Sequence, residues 1–393
     1  MADQDPLPID ASKFQRAADS PSPDDVPTPG LCGNQPNGGP YVPSKPETAA
    51  TSTRAVIDMD RRWKNGTRLQ VVFLTGDDAW GQAIRQAVRR IAVQWSDYAN
   101  ITFDFDQPAA HITVNLVPGS IPQLGWSVNW GSYNCFMGTD CLNMRKQFPS
   151  LPSMNLVFPP NLQNDPNLMD AEFSRVILHE FGHALGLIHE HQRPDRPIDW
   201  TPDVFSYYGA PPNNWSQQMV QEQIINAVQG GTLMGGAFDI NSIMMYQYPQ
   251  GLAAYKDGTP FVSPNNVILT PLDKVVVAMA YPVEGAPASN EQTLVPGEAA
   301  RPGKIDVAGR VGRYKFQPQT EGVYTIATTG MPALVALLGK RDDPAGRMLA
   351  AEGANAKLTF RPKNVGQDYF VQVRHARPTK GTGDFQIAVT QVS

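Results

Sequence analysis

The sequence predicts an α+β catalytic fold, a mixed sheet with helices around a cleft, followed by a small all-β sandwich domain. Three observations carry this. Between Leu69 and Leu185 the apolar pattern switches between strand and helix periods in the order β-α-β-β-β-α, which gives a mixed sheet with helices behind it. One helical stretch near residue 180 is apolar on one face and carries histidines on the other. Beyond residue 304, short apolar runs recur between turn signals, as in a sandwich.

Residues 1–54 are rich in Pro, Gly, Ser and Asp, with ten prolines in the first 46. Such a stretch cannot bury a core and reads as an extended leader without regular structure. The catalytic domain, residues 55–284, opens with an apolar strand at Leu69–Thr75. Asp77 or Asp78 can cap a helix in which Ile84, Ala87, Val88, Ile91 and Trp95 form one stripe. Ile101, Phe103 and Phe105 alternate as a half-buried strand does. His111–Leu116 and Met154–Phe158 are further strands, separated by a turn-rich stretch with Trp126 and Trp130. The cleft is expected along the sheet's edge, where an extended peptide adds as a strand. Asp170 is the candidate N-cap of the next helix. Its residues Ile177, Leu178, Phe181, Ala184 and Leu185 lie opposite His179 and His183, with Glu172 and Val176 on the histidine face. A loop-rich part from Pro194 to Pro282 ends in a helix near Leu272–Ala280. Residues 285–303 read as a linker. Residues 304–393 read as a self-contained sandwich, dispensable for chemistry, with strands at 323–326, 334–338, 357–360, 369–373 and 385–389. His375 falls on its surface.

The chemistry concentrates in His179-Glu180-Phe181-Gly182-His183-Ala184-Leu185-Gly186-Leu187-Ile188-His189. On a helix His179 and His183 project from one face, one turn apart, and both reach a single metal. Glu180 lies about 100° round from His179, close enough to hold a water on the metal's open side. Gly186 accepts a positive φ, ends the helix and swings the chain back, so that His189 arrives as third ligand. An HExxH match alone arises by chance, and a lone histidine is more often a core residue. The extended pattern is far more restrictive, and four of the chain's six histidines fall between residues 179 and 191. One catalytic zinc ion is expected there.

This pattern resembles the metzincin metalloproteases, and within them the astacin family. That family continues the motif as HExxHxxGxxHExxRxDR, and here Glu190-His191-Gln192-Arg193-Pro194-Asp195-Arg196 fits every fixed position. Downstream, Ser242-Ile243-Met244-Met245-Tyr246 resembles the family's SxMxY Met-turn, with Met245 where the family commonly has His. The resemblance covers roughly residues 58–284. It implies a zinc endopeptidase acting on proteins or peptides, with Glu180 as general base and acid. It makes Met244 an apolar floor under the metal and Tyr246 a swing-out ligand that stabilises the oxyanion. Glu190 would tether a new N-terminus after propeptide removal, and Arg193, Asp195 and Arg196 would be structural. The C-terminal strands loosely resemble bacterial pre-peptidase C-terminal domains. Pro29-Gly30-Leu31-Cys32-Gly33-Asn34 loosely resembles the PRCGxPD segment with which matrix metalloproteinase propeptides cap their zinc, so Cys32 is a candidate latency switch. The alternatives are a dedicated zinc hydrolase or toxin with one narrow substrate, an inactive protease-fold binding or adhesion protein, and a relative of the matrix metalloproteinase branch, which lacks the HExxRxDR continuation.

Charge narrows the partners. Lys plus Arg number 32 against 37 Asp plus Glu, a net charge of −5, which gives no electrostatic case for nucleic acid or a membrane surface. No apolar stretch is long enough to span a bilayer, and a monomer is expected. The resemblance implies a secreted protein, yet Met1 to Val26 has no apolar core of a signal peptide. Cys135 and Cys141, six apart, are either a small disulfide loop or two thiols.

Overall fold

The computed structural model describes residues 4–8, 57–121, 126–149, 151–211, 214–228, 232–340 and 348–392. Its catalytic part is an α+β unit. Strand β1 (Arg68–Phe73) leads into helix α1 (Ala79–Ala92), and β2 (Thr102–Phe105) and β3 (Ile112–Asn115) follow. Then come β4 (Tyr133–Cys135), α2 (Asp140–Gln147), β5 (Met154–Leu156) and α3 (Pro166–Ala184). The sheet order is β2-β1-β3-β5-β4, with β4 its antiparallel strand and one of its two edges. Every residue of the central strand β3 is buried, as a strand covered on both faces must be. Asp78 rather than Asp77 caps α1, accepting from Gly81 N at 2.7 Å. Its predicted stripe is buried, and Trp95 donates its indole N–H to Leu178 O at 3.0 Å, which ties this end of the helix to α3.

The start of α3 corrects the sequence reading. Its N-cap is Asp165, not Asp170: the Asp165 carboxylate accepts from Asn167 N and Leu168 N, and Pro166 occupies the first turn, where no N–H is needed. Asp170 lies inside the helix, exposed, 3.7 Å from Arg90. Strand β4, helix α2 and the Gly119–Ile121/Trp126–Val128 hairpin fill the stretch read only as turn-rich. No disulfide joins Cys135 to Cys141. Their sulfurs are 3.8 Å apart and each donates to Phe136 O. Residues Leu7–Pro8 of the expected unstructured leader form a strand against Ala109–Ala110. Residues 9–54, Cys32 included, lie outside the described residues.

Below α3 follow α4 (Asp203–Gly209), α5 (Gln217–Val220) and α6 (Pro271–Ala280). The α6 helix opens with a capping box: Thr270 accepts from Asp273 N, and the Asp273 side chain accepts from Thr270 N. The sandwich strands are β6 (Gln292–Thr293), β7 (Arg301–Ile305), β8 (Gly312–Phe316), β9 (Val323–Gly330), β10 (Ala333–Leu338), β11 (Met348–Gly353), β12 (Lys357–Phe360), β13 (Tyr369–His375) and β14 (Gly383–Val392). They form two sheets, β6-β8-β13-β10-β11 and β7-β14-β9-β12. The stretch expected as a linker supplies β6 and the start of β7 and buries Leu294 in the sandwich core.

Nor is the sandwich a separate body. Along β10, Val335 and Leu337 face the sandwich core, while Leu334, Ala336 and Leu338 join the apolar cluster of the catalytic part together with Met348. The β10 and β11 strands pack on α6. Lys274 pairs with Glu352, Ala237 N donates to Met348 O at 3.0 Å, and Lys380 reaches Asp97 at 2.6 Å. Burying one face of each partner produces a shared core. Among the described residues no helix is long and apolar enough to cross a membrane.

Candidate metal centre

The last two turns of α3 present His179 and His183 side by side, and the chain then reverses. Gly186 has φ of +96°, which a side chain would resist, and the Gly186 and Leu187 N–H groups close the helix onto His183 O and Gly182 O. The same turn delivers Leu187 O to His183 Nδ1 at 2.7 Å, so the helix stop also orients this imidazole. His179 Nδ1 meets Ile243 O at 2.8 Å, and His189 Nδ1 meets Gln192 Oε1 at 2.9 Å. The Gln192 amide N–H groups point at Glu222 O and Gln223 O, which fixes its oxygen towards His189.

These three acceptors decide the protonation pattern. Each Nδ1 must carry the hydrogen, so each Nε2 is a bare lone pair. The Nε2 atoms nevertheless converge, His183 lying 3.1 Å from His179 and 2.9 Å from His189. Three lone pairs facing one another repel unless a cation sits among them, and a neutral imidazole with an occupied Nδ1 is the donor that zinc takes. Burial holds His183 down at about 4. Burial and then the neighbouring His183 hold His179 and His189 well below the ordinary imidazole value. All three are neutral near pH 7. Among the described residues this trio forms the metal-competent cluster, and it fits a zinc ion.

The predicted neighbours are brought to the same place. Glu180 is fully buried beside His179. Met244 is buried beneath α3, so close that a Cβ on Gly182 would lie 2.6 Å from its sulfur. That contact explains a glycine in mid-helix between two ligands. The Tyr246 ring is 4.3 Å from His189 and 5.9 Å from His179. Glu190 and Arg193 form a buried pair at 2.9 Å, not a solvated network. The Arg193 fork also bonds both Asp195 oxygens and the carbonyls of Gly236 and Ala237. Burial pushes the Glu190 carboxyl up, against the pull of Arg193 and the Asp239 N–H. Its Oε2 has no partner among the described residues.

Sequence reasoning missed the groups that aim the ligands. Gln192 occupies a variable position of the motif, so only the structure gives it a task. The Ile243 carbonyl is main chain and leaves no trace in residue type. Asp273, whose carboxylate bonds Ile243 N and Ser242 Oγ, could have been noticed in Thr270-Pro271-Leu272-Asp273, a capping-box pattern.

Comparison with known proteins adds to this geometry. The family model of the astacin peptidases matches residues 170–265. A solved structure of myroilysin is 31% identical, covering 58% of this chain and 99% of that chain with a TM-score of 0.48. High choriolytic enzyme 1, a hatching-enzyme zinc protease of the medaka fish Oryzias latipes, is 13% identical over 60% of this chain and 98% of its own, TM-score 0.37. A pre-peptidase C-terminal domain of a collagenase from Bacillus anthracis is 12% identical over 25% of this chain and 94% of its own, TM-score 0.22. No protein among the curated sequences matches.

Proposed function

Since this chain belongs to the astacin family of zinc peptidases, we propose that it hydrolyses internal peptide bonds with Glu180 as general base and acid. The enzyme class, a zinc metalloendopeptidase, follows from that membership. His179, His183 and His189 would hold the zinc through Nε2, the atoms left bare by their Nδ1 bonds. Zinc, when bound, acts as a Lewis acid on the scissile carbonyl and makes water more acidic. Glu180 takes the proton of the attacking water and hands it to the leaving amine. The Tyr246 hydroxyl donates to the developing oxyanion. An extended substrate lying in the cleft along the sheet's edge favours internal cleavage over trimming of ends.

The single observation that carries the reading is the convergence of three buried imidazole nitrogens beside a buried glutamate. A peptide-library digest tests it. Cleavage at internal bonds is expected, stopped by a chelator, restored by zinc and absent in Glu180→Ala. Cleavage that survives chelation, or trimming of ends alone, contradicts the proposal.

Latency and export belong to the same reading. A Cys32 thiolate is a good soft ligand and its glycine neighbours let the backbone pass close to a metal, so Cys32 caps the zinc until the leader is cut. Uncleaved Cys32→Ala protein is then active where the unaltered uncleaved chain is silent; equal activity of the two counts against the cap. Glu190 Oε2, without a partner among the described residues, supports the family's use of this glutamate as the seat of the new N-terminus. A secreted enzyme is the corresponding location, and carboxyl-terminal tagging with fractionation of cells from medium checks it.

A further inference from the structure

Two chains of contacts lead from the docking face of the C-terminal sandwich towards the three histidines. The first runs through α6. Asp273 sits in its first turn, fully enclosed, and accepts from Ser242 Oγ at 2.7 Å, from Ile243 N at 3.0 Å and from Thr270 N at 3.0 Å. Those bonds hold the Met-turn. The carbonyl of the same Ile243 receives His179 Nδ1. The opposite side of α6 is covered by β10 and β11, through Leu334, Ala336, Leu338 and Met348 and the Lys274–Glu352 pair.

The second chain bypasses α6. Met348 O, on β11, accepts from Ala237 N at 3.0 Å. Ala237 O accepts from Arg193 Nη1, and that nitrogen also bonds Glu190 Oε1, next to His189. Asp239 N, two residues on, donates to the same Glu190 oxygen at 2.7 Å. Leu272 of α6 presses on this segment so closely that a Cβ on Gly236 would lie 2.5 Å from its Cδ1.

From these contacts we infer that the β-sandwich is a positioning part of the zinc site: it clamps α6 and the 236–239 segment, and Asp273 transmits the clamp to His179. The inference rests on the three histidines holding zinc. A metal's outer partners fix ligand orientation, and their loss lowers metal affinity about 10- to 100-fold. Asp273 is one bond further out, so an effect near the lower end is expected.

Two full-length variants test the inference. Asp273→Asn keeps the shape and removes acceptor capacity at the Met-turn. Leu338→Ala/Met348→Ala loosens the clamp and leaves Asp273 intact. Hydrogen exchange is read first on metal-free protein. Amides of residues 242–244 are expected to exchange at least several-fold faster in both variants, while those of β9 and β14, in the far sheet, stay unchanged. Zinc affinity is then read by chelator competition, with a loss of about 10-fold expected for Asp273→Asn. The visible spectrum of cobalt-loaded protein reports ligand geometry, and a shifted band is expected where a purely structural role would move only the melting point. Unchanged exchange at 242–244 with α6 demonstrably loosened overturns the inference, as does an unshifted cobalt band with unchanged zinc affinity. A His179→Ala control separates the two readings: zinc binding that ignores it defeats the metal assignment, while the exchange result on metal-free protein still judges the clamp.

Discussion

Helices α3 and α6 serve one site in opposite ways. The α3 helix carries the groups proposed for the chemistry: two of the three converging imidazoles and Glu180 lie within five consecutive residues. The α6 helix carries no reacting group, yet Asp273 at its start holds the turn whose carbonyl orients His179. The difference teaches where information lies. Chemistry is local and fixed by residue type, while alignment is assembled from main-chain atoms and packing between parts distant in sequence.

The comparison breaks most sharply at Glu180. Glu180→Ala should lower kcat by several orders of magnitude with zinc content unchanged, because both proton transfers are lost while the imidazoles stay. Metal analysis beside peptide kinetics checks it, and a near wild-type rate would show that α3 does not carry the chemistry.

The next largest effect is expected on the α6 side, in stability. A chain ending at residue 287 uncovers the side of α6 now packed on Leu334, Leu338 and Met348. At roughly 1.5–3 kcal/mol per buried apolar side chain, that loss rivals the whole stability of a domain, about 5–15 kcal/mol. The truncated chain should melt far below the full chain by circular dichroism, or aggregate. An unchanged melting temperature with zinc retained would restore the separate-module reading.

Tyr246 lies in the irregular chain of the Met-turn, between the two helices in sequence. Tyr246→Phe should keep fold and zinc and lower kcat about 10- to 1000-fold with little change in KM, as loss of a transition-state hydrogen bond does. An unchanged kcat makes the hydroxyl structural.

His111 sharpens the contrast from outside the site, with the smallest expected effect. Its Nδ1 accepts from Gln70 N, the reverse of the pattern in the metal trio. Burial holds its pKa below 6.5 in the folded chain. Between that lowered value and 6.5 the unfolded chain binds the extra proton, so this group's contribution destabilises the fold as pH falls through that window. Denaturant melts should therefore lose less stability between pH 7 and pH 5 in His111→Gln than in the unaltered chain, and equal losses contradict the assignment.

The catalytic strands, the α1 stripe, both ends of the zinc motif and the Met-turn were legible in the sequence because each follows from period or residue type. Asp165-Pro166 carries a helix-start signal, a capping carboxylate followed by proline, which the reading at Asp170 does not use. The docking of the sandwich also left a signal. Leu334-Val335-Ala336-Leu337-Leu338 is apolar at every position, and Val275-Val276-Val277-Ala278 is apolar all round a helix. A strand without alternation and a helix without a polar face each need cover on both sides. Reading each run alone gives a strand and a helix, and only their pairing gives the shared core. The acceptors at Ile243 O and Gly236 O have no such signal, since any residue supplies a carbonyl.

The central claim is that His179, His183 and His189 form one zinc site. Metal analysis of the purified full chain, with each histidine replaced in turn by alanine, tests it most directly. One zinc per chain is predicted for the unaltered protein and for His111→Ala, falling to near zero for each of the three site variants. A chain that binds no zinc, or retains it when His183 is replaced, would contradict the account.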